Sequence, residues 1–174
     1  MVNPTDSDSG LWQQAMMNQA APIRQIDDQL IEGLYLEAIV LADEARAYFA
    51  HSGERNRASL SDNGRLDYAC ESLKVSTRIM HAIAWLLVQR AVLSGELPES
   101  VRLDEHYQLG KAEGTDARLR ATLPAEMEGL ILVSEDLYYR VARLEAQLIE
   151  RLNLGLAARS SPARDLLGRL QSAF

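Results

Sequence analysis

Three histidines, one cysteine and a few paired carboxylates are the residues of this 174-residue chain best suited to chemistry. His51, His81 and His106 are far apart, and none stands one helical turn from another ligand of its kind, so no paired-histidine metal site is expected. A single cysteine, Cys70, excludes an internal disulfide and a multi-cysteine zinc site. It adjoins an apolar row, where an inert buried thiol is expected. Asp43–Glu44 and Glu135–Asp136 sit on otherwise polar helix faces, and His106 follows Asp104 and Glu105 in a stretch with the composition of a solvated surface. Residues 109–115, LGKAEGT, hold glycine and lysine without a preceding strand or a Ser/Thr directly after the lysine, so no P-loop is present. No catalytic constellation, cofactor site or metal site emerges, and the chain is expected not to be an enzyme. Two alternatives stay open: histidine phosphotransfer at His81, although Trp85 one turn later would crowd that ring, and a purely scaffolding helical-bundle module.

Composition narrows the partners. The net charge of −7 argues against a phosphate-binding face and hence against nucleic acid. The opening residues MVNPTDSDSG have neither the basic start nor the apolar run of a secretory signal, which fits a cytoplasmic protein. The longest apolar run, Ala82–Val88, has seven residues, whereas a membrane span needs about 20.

Three helical patterns position these residues, at about 27–51, 62–94 and 124–153, and no convincing strand does. The first carries Ile31, Leu34, Ala38, Leu41, Ala45 and Tyr48 at core-facing spacing, starting near Asp27–Asp28. The third begins at Pro124 and carries Met127, Leu130, Leu137, Val141, Leu144, Leu148 and Leu152. The connection 95–123 is long for a bundle and is expected to be mobile or to hold a short helix near Leu103–Leu109. The expected fold is all-α, an antiparallel three-helix bundle over 27–154, homodimeric, with flexible termini at 1–26 and 155–174.

Projected at 100° per residue, the second pattern has three faces. Leu66, Ala69, Leu73, Thr77, Met80, Ala84, Leu87 and Ala91 form a first apolar row, expected in the core. Tyr68, Val75, Ile79, Ala82, Ile83 and Leu86 form a second row nearly opposite, the candidate dimer face unless loops or the N-terminal segment cover it. Asp67, Glu71, Lys74, Arg78, His81, Trp85 and Gln89 share the third direction. Lys74, Arg78, His81, Trp85 and Gln89 are therefore candidates for binding a partner protein. The alternative is that Trp85 packs under the 95–123 connection while Arg78 pairs with an acidic residue. Residues 155–174 carry three arginines against one aspartate, and after Ser160–Ser161–Pro162 the residues Leu166, Leu167, Leu170 and Phe174 repeat as in a helix that docks in a groove.

Residues 71–97, ESLKVSTRIMHAIAWLLVQRAVLSGEL, resemble the signature of the RcdA family of bacterial regulators. The matching positions are Glu71, Ser72, Leu73, Thr77, Arg78, Met80, Trp85, Leu86, Leu87, Gln89, Arg90, Ala91, Gly95 and Glu96. Residues 34–49, LYLEAIVLADEARAYF, and 131–148, ILVSEDLYYRVARLEAQL, are similar to the family's first and third helices. The resemblance implies a homodimeric three-helix bundle with a flexible C-terminal end. It also implies an adaptor that links the ClpXP protease, through a response-regulator-like primer, to selected cell-cycle substrates in CtrA degradation at a cell pole. It assigns no cargo-binding residue.

Overall fold

A computed structural model describes the backbone of residues 6–159 and the side chains of residues 26–156. Helix α1 spans Asp6–His51, α2 Gly53–Ala58, α3 Asp62–Leu93, α4 Ala117–Arg120 and α5 Ala125–Arg159, with 3-10 turns at Glu99–Leu103 and Glu105–Tyr107. No strand occurs among the described residues. α1 begins 21 residues ahead of the expected start at 27, because Gln13–Met17 and Gln19–Ala21 are helix formers and Asp6 and Asp8 suit a helix N-terminus. The expected tail at 155 is helical to Arg159, continuing α5.

Local chemistry sets the ends of α3. Ser61 caps it by accepting the Gly64 N–H at 3.3 Å. At the other end Gly95 takes a left-handed backbone, φ 80°, which lets the Leu97 N–H close on the Ala91 carbonyl at 3.0 Å.

The cross-helix pairs fix the directions. α1 meets α5 through Asp27 with Arg151 and Glu37 with Arg140, so the two are antiparallel. α1 meets α3 through Glu32 with Arg90 and, at the far end, Tyr48 beside Tyr68, again antiparallel. Between α3 and α5 the numbers rise together, Arg78 with Ser134 and Trp85 with Glu145, so these two helices run parallel. The fully antiparallel, up-down expectation is corrected at this pair. A 32-residue α3 is about 48 Å long, and the connection after it must return that distance before α5 can start. Its length is therefore a topological requirement, met by two 3-10 turns, an extended segment and α4.

The core lies between the three long helices. α1 buries Ile31, Leu34, Ala38, Leu41 and Ala45, and α5 buries Met127, Ile131, Leu137, Val141, Leu144 and Leu148. These rows are where the spacing predicts them, with Tyr48, Leu130 and Leu152 half-buried at their edges. On α3 the two apolar rows exchange places. Tyr68, Val75, Ile79, Ala82 and Leu86 are buried and Ile83 packs against them, so the candidate dimer face is in fact the core face. Leu66, Leu73, Met80 and Leu87, expected inside, are 65%, 70%, 63% and 46% exposed. Cys70 follows that outer face and is exposed, contrary to the expected burial.

Candidate functional site

The polar strip of α3 lies within the groove between α3 and α5, under the returning connection. Glu71, Arg78, Trp85 and Gln89 are at most 4% exposed, while Lys74 and His81 are half-buried. The candidate partner surface of Lys74, Arg78, His81, Trp85 and Gln89 is thus corrected: three of its five residues are interior. The charges are tolerated there because each finds partners. Arg78 donates to the Glu113 carbonyl at 2.6 and 3.0 Å, to Thr115 Oγ1 at 2.8 Å and to Ser134 Oγ at 3.3 Å, and its Nη2 stands 3.3 Å from Glu135. Glu71 accepts the Thr115 hydroxyl at 2.6 Å and Lys74 Nζ at 2.9 Å. Gln89 accepts Arg102 Nε at 2.8 Å. The alternative of Trp85 under the connection, with Arg78 paired to a carboxylate, is the arrangement observed.

α5 contributes the opposite wall. Glu145 accepts the Leu109 N–H at 2.6 Å and faces the Trp85 indole N–H. Burial pushes its carboxyl above the ordinary glutamate range, against the pull of those two donors. Tyr138 accepts the Ala112 N–H at 3.2 Å and donates to the Gly110 carbonyl at 2.8 Å, and Glu135 accepts the Thr115 N–H at 2.7 Å. Residues 109–115, which resemble a phosphate loop only in composition, thus form a strap bound through its main chain. Gly110 passes so close to His81 that a Cβ there would lie 2.7 Å from ring atoms. His81 Nδ1 is buried and has no hydrogen-bond partner among the described residues, and the ring as a whole is half-buried.

The accessible feature is apolar. Leu66, Leu73, Met80 and Leu87 recur every seven residues, nearly in line, with exposed Ala69 and Ala84 and half-buried Thr77 and Ala91 between them. The row continues into a groove against α1 lined by Ala42, Phe49, Ser76, Ile79 and Met80. Sequence periodicity found this row but placed it inside. The burial of Arg78, which helps decide the orientation of α3, was anticipated only by the alternative of Trp85 under the connection with Arg78 paired to an acidic residue; the burial of Glu71 was not. His51 is exposed and apart from the groove, whereas His106, also exposed, lines a cavity with His81, Trp85 and Gly110, so these two histidines are closer than the sequence spacing suggests. No group of three or more His, Cys, Asp or Glu arranged to hold a metal occurs among the described residues. No helix of the described residues is long and apolar enough to cross a membrane. The candidate docking residues Leu166, Leu167, Leu170 and Phe174 lie outside the described residues.

Three comparisons with known proteins complete the picture. Residues 23–174 match the family described as "Protein of unknown function (DUF1465)". Among solved structures, RcdA from Caulobacter crescentus CB15 superposes with a TM-score of 0.56 at 34% sequence identity, covering 68% of this chain and 90% of that one. Curated protein sequences give no match.

Proposed function

The chain belongs to the DUF1465 family and is a relative of RcdA, and on that premise we propose that it is a non-enzymatic adaptor. It tethers selected cell-cycle regulators to the ClpXP protease through a response-regulator-like primer, in the cytoplasm and at a cell pole, and so promotes their degradation. The observation that carries the proposal is the outer row of α3. Four large apolar side chains, each 46–70% exposed, face away from the core of a chain whose Glu71, Arg78 and Gln89 are already paired internally. Covering such side chains is worth about 1.5–3 kcal/mol each when burial is complete, enough to hold a protein–protein contact. A homodimer is formed through this row, in place of Tyr68, Val75, Ile79, Ile83 and Leu86, and residues 157–174 supply the tether. The phosphotransfer alternative is disfavoured by Gly110 lying over a half-buried His81.

The test is delivery of a reporter cargo to ClpXP by the full chain and by a chain lacking residues 157–174. The expected outcome is unchanged helicity with lost delivery. Equal delivery by both chains would remove the tail from the mechanism, and no delivery by the full chain would remove the adaptor function itself.

A further inference from the structure

The strap is held in a way that a different peptide could share. Along 109–115 the groove makes six hydrogen bonds to main-chain groups: Glu145 to the Leu109 N–H, Tyr138 to both Gly110 C=O and Ala112 N–H, Arg78 twice to Glu113 C=O, and Glu135 to the Thr115 N–H. Four of the six involve a charged side chain, the stronger class of such bonds. Only one strap side chain is hydrogen-bonded in this way, the Thr115 hydroxyl between Glu71 and Arg78. Lys111 and Glu113 point outward and are exposed. The segment is extended, without helix or strand, so its main-chain groups depend on the groove.

From this geometry we infer that the α3–α5 groove is a peptide-recognition groove, occupied in cis by the chain's own 109–115. The partner it fits is an extended segment of another protein. That segment carries an apolar residue at the Leu109 position, which packs against the core, glycine at the position over His81 and a hydroxyl residue five positions later, with the side chains at the Lys111 and Glu113 positions directed to solvent. Recognition through main-chain groups with a few pockets is the logic of strand addition, supplied here by side chains rather than a sheet edge. The lining is already built: Glu71, Arg78 and Ser134 are at most 1% exposed and aimed at the strap or at each other. The strap competes as a tethered ligand with an effective concentration of roughly millimolar, so the unaltered chain masks the groove. The inference concerns binding alone and stands or falls separately from any protease.

The probe is a fluorophore-labelled synthetic peptide of residues 107–117, titrated by anisotropy into the full chain. Gly110→Ala in the protein sets a Cβ against the His81 ring and lifts the strap, and this variant is expected to bind the peptide at least tenfold more tightly than the unaltered chain. A peptide with its own Gly110 changed to alanine, or its Thr115 to valine, should lose at least tenfold. Should Gly110→Ala fail to fold, Thr115→Val in the protein gives the same test without a steric change, since the added peptide restores the missing hydroxyl. Absence of saturable binding by a folded strap variant, or equal binding of a scrambled peptide, overturns the proposal.

Discussion

Arg78→Ala separates an interior arginine from a surface one by a margin that is easy to measure. The guanidinium is 1% exposed and joins α3 to Ser134 and Glu135 of α5 and to the strap at Glu113 and Thr115. Removing it takes from Glu135 its nearer cation, at 3.3 Å, leaving only Arg120 at 3.8 Å, and leaves the Glu113 carbonyl without its two donors. Breaking a buried pair in this way costs about 3–5 kcal/mol, because the surviving charge keeps its desolvation penalty. For a chain of this size each kcal/mol lowers Tm by roughly 2–4 °C, so the expected drop is on the order of 10 °C. An exposed cation would change stability by no more than about 0.5 kcal/mol. Arg143, which is exposed on α5, supplies the control. The assay is urea and thermal unfolding followed by circular dichroism on both alanine variants. A loss below about 1 kcal/mol for Arg78→Ala would refute the interior network.

Three further outcomes follow from the same geometry. Trp85→Ala, at a residue 4% exposed beside the connection, should cost about 3–5 kcal/mol in the same unfolding assay. Glu145 has a folded-state carboxyl raised by burial, so its protonated form favours folding at low pH and that contribution fades as pH rises through its folded value. Glu145→Gln should accordingly flatten the stability profile just above the ordinary glutamate range, seen as a smaller change in urea midpoint between acidic and neutral buffer. Leu73→Glu with Met80→Glu, at sites 70% and 63% exposed, should keep the helical circular-dichroism signal while reducing the sedimenting mass from dimer to monomer.

The helices and two of the three core rows were legible because Ile31 through Ala45 and Met127 through Leu148 keep a single apolar side. α3 was not, because it is apolar on two sides and its periodicity cannot say which side is inside. The deciding residues, Glu71, Arg78 and Gln89, are polar and interior, a combination that only the returning connection makes affordable. That connection had one legible sign, its length, which suits a parallel crossover better than a hairpin. The parallel course of α3 and α5 depends on pairings such as Trp85 with Glu145, separated by 60 positions and invisible to local spacing. Gly110 in LGKAEGT illustrates the same limit: its role is close approach to His81, a contact between elements rather than a motif.

The adaptor account is tested most directly by reconstituted degradation of a cell-cycle cargo by ClpXP and its primer, with unaltered chain or with the Leu73→Glu, Met80→Glu variant. The account predicts faster cargo loss with the unaltered chain and basal loss with the folded variant. Acceleration by both alike, or by neither, would contradict it.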